Sequence, residues 1–211
     1  MTKQARAAVQ ASDEIPLFPV HAVLFPGGVL PLRIFERRYL EMIGECLRSG
    51  SGFGICAIES GGEVGRAARC FPVGTLARVL DFDRGRDGLL HVVASGERRF
   101  RVLAQRVAAN QLVRAQVLWL DEHASVPLPP ERRAVAHLLR QLLERVGEPF
   151  SALAPNFNDA SWVVNRLIEL LPFALADKQR LLEVDAPLQR LETLYTQLLA
   201  EELTVSRERD G

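Results

Sequence analysis

Lysine is almost missing from these 211 residues: Lys3 and Lys178 are the only two, and every other basic side chain is arginine. Few catalytic amines are therefore on offer. Each lysine is followed by glutamine, so the Gly-Lys-Ser/Thr that a P-loop needs to reach phosphate and magnesium is absent. A net charge is missing too, because 26 Lys and Arg balance 26 Asp and Glu, and no global field draws the chain to nucleic acid or anionic membrane. No apolar run approaches the roughly 18 residues of a spanning helix, and residues 1–14 lack the apolar stretch of a secretory signal. Cysteine is sparse and odd in number: Cys46, Cys56 and Cys70, with no C-x-x-C. None of His21, His91, His123 and His137 stands at ligand spacing from a cysteine or from another histidine. The pattern reads as inert thiols in a reduced cytoplasm, with no metal site.

Motifs that carry chemistry are as scarce. Gly50-Ser51-Gly52-Phe53-Gly54 invites a dinucleotide-loop reading, but the third glycine of G-x-G-x-x-G falls on Ile55 or Ala57, so a turn into a strand is the better reading. Residues 81–88 open like a calcium loop, yet Arg86 and Val92 stand where an EF-hand needs glycine and glutamate. G-x-S-x-G does not occur, and a Ser–Lys dyad would have to use Lys178, which lies in a charged helical segment. Asp81 and Asp83 alternate onto one side of a strand, as an acid–base pair could, but Arg84 and Arg86 beside them favour a solvated ion-pair cluster. No catalytic residue and no cofactor site is assigned.

The most basic run is Gly96-Glu97-Arg98-Arg99-Phe100-Arg101. As a strand it sends Arg99 and Arg101 to one face and Arg98 and Phe100 to the other. Arginines around an aromatic can grip RNA, so Arg98, Arg99 and Arg101 carry the alternative reading. The preferred reading puts Phe100 and Val102 in the core and pairs the arginines with Glu97 and other carboxylates.

The chain changes character near Asp121. Before it, glycine and proline punctuate short apolar runs at 18–25, 52–58, 73–80, 89–94, 100–103 and 112–120, which read as strands. One helix is expected over 36–48, with Tyr39, Leu40, Ile43 and Leu47 on its buried face and Gly50 as a left-handed cap. Arg84 to Gly88 is a hairpin tip. After a proline-rich linker at 125–130 the spacing turns helical, with Val135, Leu138, Leu139, Leu142 and Val146 on one stripe. A second helix follows, capped by Asp159 or Ser161, then a short one at 176–183 and a last one opened by Pro187. The fold class is α+β. Residues 1–121 hold 16 basic and 12 acidic groups (net +4) and residues 122–211 hold 10 and 14 (net −4), so the two halves should attract each other.

The run Ile15-Pro16-Leu17-Phe18-Pro19-Val20, continued by Val23-Leu24-Phe25-Pro26-Gly27-Gly28-Val29-Leu30-Pro31-Leu32-Arg33-Ile34-Phe35-Glu36-Arg37-Arg38-Tyr39, is long and specific. Together with Gly96-Glu97-Arg98-Arg99-Phe100 and the late Leu181-Leu182-Glu183-Val184-Asp185-Ala186-Pro187, it resembles the N-terminal substrate-recognition domain of the ATP-dependent Lon proteases, over residues 13–204. The resemblance implies a β-rich, PUA-like pseudobarrel at 13–124, a helical bundle at 125–211 and a disordered tail at 1–12. It implies a non-catalytic module that captures unfolded or exposed polypeptide segments and works with a protease or chaperone. Neither a membrane nor a cofactor is expected. The ATPase and peptidase parts of Lon lie beyond the point where this chain stops, so the expectation is a stand-alone, cytoplasmic bacterial protein of that kind. An apolar groove or patch near the barrel and the first bundle helices, rimmed by charge, would take the polypeptide, with Leu24, Phe25, Leu30 and Phe53 contributing. Arg33 should be partly buried and paired with Glu36 or Glu97 at the strand-to-helix junction.

Overall fold

Strand β1 (Asp13–Val20) is the closing piece of the sheet, because it pairs with two neighbours at once. Its first half runs antiparallel to β7 (Val113–Trp119), Ile15 facing Ala115, and its second half runs parallel to β3 (Phe53–Ser60), Leu17 facing Gly54. With β5 (Val73–Arg84) and β6 (Leu90–Val107) the order β1-β7-β6-β5-β3 returns on itself through the β1–β3 pairing. β2 (Val29–Ile34) lies along β6, and the short β4 (Arg69–Cys70) along β3. Register shifts between Thr75 and Ala77, Val79 and Asp81, and Val102 and Ala104 supply the bends that closure requires. The structure is a computed structural model and describes residues 13–65, 67–122 and 125–209; the tail expected at 1–12 lies outside the described residues.

Three of the expected runs differ. The run at 18–25 leaves the sheet at Val20 and continues as a loop, and 89–94 with 100–103 form one strand of 18 residues. Gly96 does not break that strand. It is there because a Cβ would lie 2.5 Å from the carbonyl oxygen of Phe25, which crosses directly over it.

Helix α1 (Arg37–Ser49) closes one end of the ring and stops at Gly50, in the left-handed conformation expected of it. Its buried face is Arg38, Tyr39, Met42, Ile43 and Cys46, whereas Leu40 and Leu47 are 40% and 43% exposed. The face is rotated because Arg38 turns inward, where it pairs with Glu36 at 3.0 Å and donates to the Gln111 carbonyl at 3.0 Å.

The second half is helical. α2 (Arg133–Val146), α3 (Ala160–Leu170), α4 (Leu175–Glu183) and α5 (Pro187–Arg209) follow the spacing of the leucines, and Asp159 caps α3 by accepting from the Trp162 amide at 2.7 Å. Their apolar faces bury Leu139, Leu167, Ile168, Leu181 and Leu191 together with Phe25, Ala57 and Val73 from the strand half. One cluster thus spans both halves. Arg99 reinforces it electrostatically, reaching Glu122 at 3.2 Å and Asp185 at 3.1 Å across the boundary at which the chain changes sign.

Candidate functional site

The loop between β1 and β2 carries the motif and sits where the strand ring meets α3 and α4. Four partners fix its path. Thr75 donates its hydroxyl to the Leu24 carbonyl at 2.6 Å. The Gly27 amide donates to the Gly96 carbonyl at 2.8 Å, and the Gly96 amide returns a bond to Gly28 at 2.9 Å. The Phe25 amide donates to Glu169 Oε1 at 2.8 Å, and Arg166 Nη2 donates to the Pro26 carbonyl at 3.1 Å. Arg166 and Glu169, a turn apart on α3, pair at 2.6 Å with side chains 1% and 7% exposed. Burial pushes the Glu169 carboxyl up, against the downward pull of Arg166, the Phe25 amide and Lys178.

Gly28 shows how tight this junction is. A Cβ there would lie 2.2 Å from Glu169 Oε1 and 2.6 Å from Arg166 Nη2. The side chains are flexible in principle, but the ion pair and the Phe25 amide hold them. Gly28→Ala is expected to cost about 1–3 kcal/mol in urea unfolding by overpacking. Gly44→Ala, inside α1, should be neutral or stabilising, since its Cβ meets nothing closer than 3.4 Å and helix propensity improves. Equal midpoints for the two variants would remove the steric account of the glycine pair.

Beside this loop a cleft of about 190 Å³ opens between the halves. One wall is Val23, Leu24, Val29 and Leu30; the other is Phe150, Phe173 and Leu175. Lys178 and Glu169 stand at its polar end, where Lys178 Nζ donates to the Glu169 carbonyl at 2.9 Å. Partial burial draws Lys178 down, with Glu169 opposing. The volume is below the roughly 300 Å³ at which cofactor and small-molecule sites begin, and suits one large apolar side chain. Among the described residues, no serine, threonine or cysteine lines the cleft beside Lys178. The thiols lie elsewhere: Cys46 and Cys56 are buried and Cys70 is half-buried. Contact with Cys70 and burial push the Cys56 thiol up, and the same contact draws Cys70 down.

The structure gathers some of the expected site residues and scatters others. Leu24 and Leu30 do line the cleft. Phe25 and Phe53 are fully buried, because one plugs the junction with the helices and the other fills the ring, and neither can meet a visiting chain. Arg33 is exposed and has no ion pair among the described residues; alternation along β2 turns it outward opposite His91. The acids expected for it are engaged elsewhere, Glu36 with Arg38 and Glu97 with Arg78 at 2.5 Å. Asp81 and Asp83 are exposed, and the ion-pair cluster expected there does not form among the described residues.

The arginine run is divided as well. Arg101 is exposed, and Arg98 lies flat on Trp119, 3.6 Å from the ring centroid. Arg99 has no exposure at all, since the helices cover the outer face of β6 while Phe100 fills the inner one. It is not free to touch a polynucleotide. The sequence reading missed Glu169, Phe150 and Phe173, and weighed Lys178 only as a member of a dyad. The one available signal was Glu169 itself, a single carboxylate among the leucines of 167–171.

Known structures share the fold. A Lon N-terminal domain protein from Xanthomonas campestris superposes with a TM-score of 0.72 at 39% identity, covering 87% of this chain and 98% of that one. The N-terminal domain of the Mycobacterium avium complex Lon protease shares the fold at 20% identity, with a TM-score of 0.60 over 86% of this chain and 96% of that one. The family model of the ATP-dependent protease La (LON) substrate-binding domain matches residues 14–200. The chain belongs to that family. Lon protease of Cytophaga hutchinsonii is 25% identical over 189 residues, which are 83% of this chain and 23% of that protein. Lon protease 1 of Bdellovibrio bacteriovorus is 24% identical over 93% of this chain and 26% of its own length. The chain spans about a quarter of the length of these relatives, and the match is to their substrate-binding part. No helix among the described residues is long and apolar enough to cross a membrane.

Proposed function

We propose that this chain is a non-catalytic, cytoplasmic module that binds exposed segments of unfolded polypeptide by taking an apolar side chain into the cleft between the motif loop and α3–α4. The observation that carries this reading is the cleft itself. Both walls are apolar, one of them is the motif loop, and Lys178 stands at the polar end. Membership in a substrate-binding family supports the same reading. In it, the closed strand ring is a PUA-like pseudobarrel at 13–124, and the helices at 125–211 form a bundle whose role is to build the second wall. The cluster they share supports reading the two as a single folding unit. A protease or chaperone would receive what the module holds.

The test uses a basic unfolded probe, reduced and carbamidomethylated ribonuclease, followed by fluorescence anisotropy. The wild type should bind it without ATP. Phe150→Ser combined with Phe173→Ser should weaken binding about tenfold or more, the scale of losing one buried aromatic contact, with an unchanged far-ultraviolet spectrum. No binding by the wild type, or equal binding by the variant, overturns the proposal.

A further inference from the structure

The cleft is not the only concave surface. A second groove, of about 450 Å³, runs along the outer face of α2, bounded by the segments 127–128 and 157–158. Arg133, His137 and Arg140 project from α2 into it, four and three residues apart and therefore on one helical face. Opposite them stand Pro127, Leu128 and Phe157, with the Arg140 guanidinium 4.6 Å from the Phe157 ring centroid. Trp162 holds that ring edge-on at 5.3 Å. The Leu128 amide donates to the Asn158 carbonyl at 2.8 Å, which ties the two bounding segments to each other.

The charge of this groove runs against its surroundings. The helical half is net acidic, yet no carboxylate lines the groove, and none of its three basic groups has an ion pair among the described residues. Asp159, next to Asn158, is 6% exposed and accepts from the Trp162 amide and the Ser125 hydroxyl. Arg37 on α1, by contrast, is exposed and paired with Glu41. Two unpaired guanidinium groups facing an aromatic-apolar wall make a surface complementary to carboxylates carried on an apolar backbone.

Spacing narrows the occupant. Arg133 and Arg140 are seven residues apart, about 10.5 Å along a helix axis. In a polyproline II segment every third residue returns to the same face after about 9.3 Å. We infer that the α2 groove docks an acidic polypeptide segment in extended, polyproline-like form, two carboxylates three residues apart meeting Arg133 and Arg140 and an apolar residue between them lying on Phe157. This goes beyond the cleft reading and does not depend on it.

The test uses a fluorescein-labelled peptide, Gly-Pro-Glu-Phe-Pro-Glu-Pro-Gly, its counterpart with both glutamates replaced by glutamine, and a single-stranded RNA oligonucleotide. The wild type should bind the acidic peptide about tenfold or more tightly than the glutamine version, and added salt should weaken it. Arg133→Glu with Arg140→Glu, both exposed positions, should lose about tenfold or more, while Phe150→Ser with Phe173→Ser should not change this affinity. Failure of the cleft variant to affect the ribonuclease probe would leave the groove standing, so the two readings fail separately. Equal affinity for the glutamine peptide, an unaffected double-glutamate variant, or RNA bound more tightly through the same arginines overturns the inference.

Discussion

Arg166→Met should lower the stability of the protein by about 3–5 kcal/mol, the cost of leaving a buried charge without its partner. The charge is that of Glu169, 7% exposed and otherwise bonded by the Phe25 amide, with the Lys178 charge acting on it without a hydrogen bond to the carboxylate. Arg166→Met with Glu169→Met should recover much of the loss, because a buried pair replaced by apolar groups of similar size is close to neutral. A residue of about 1–3 kcal/mol should remain, since the Phe25 amide then lacks its acceptor. The sign with pH follows from Glu169. Its folded pKa is already raised above the ordinary 4.5 by burial, and removing Arg166 raises it further. The penalty of the ionised carboxyl is therefore fully present above the folded pKa and fades as pH falls from there towards 4.5. The gap between Arg166→Met and wild type in urea unfolding should narrow on acidification. A single variant that costs less than the double, or a gap that widens in acid, would show that Arg166 does not serve Glu169.

The helices of the second half were legible because each buries one stripe and no glycine interrupts it: α2 and α3 begin and end close to where their leucines and caps put them, and α5 begins at Pro187 as expected. The strand half was harder, because glycine there has two meanings. Gly50 ends a helix, as it reads, but Gly96 lies inside a strand and makes room for the Phe25 carbonyl, a neighbour 71 residues away that no local pattern announces. Charge misled for a similar reason. Arg38 and Arg99 look like surface residues by type, and each is buried through partners from other segments, Gln111 for one and Leu182 and Asp185 for the other. The motif pointed to the right loop and hence to Leu24 and Leu30. The opposite wall comes from residues 150–178, and the bond from Phe25 to Glu169 spans 144 residues, so only the folded chain brings them together.

Arg99 offers the second large effect, and one that tests whether the halves are truly one unit. It is fully buried, and its guanidinium donates to the Leu182 carbonyl at 2.9 Å and the Asp121 carbonyl at 3.3 Å while pairing with Glu122 and Asp185. Both acids reach solvent, 37% and 71% exposed, so their loss is softened by water and the main cost is the orphaned carbonyls and the space left behind. One relief offsets part of it. Arg190, whose pKa is drawn down to about 10 by burial and by Arg99, would no longer face a like charge. Arg99→Met should therefore cost about 2–4 kcal/mol. Trp119 lies on β7 and Trp162 on α3, so Trp119→Phe leaves the tryptophan of α3 as reporter and Trp162→Phe that of β7. With Arg99 present the two reporters should share one urea midpoint, as the common cluster of Phe25, Val73, Leu167 and Leu181 requires. With Arg99→Met the α3 reporter should move to lower urea than the β7 reporter, because the strand ring keeps its own closure while the helices lose their polar anchor. Two reporters that shift together would mean that the apolar cluster alone couples the halves and that Arg99 adds only its own share of stability.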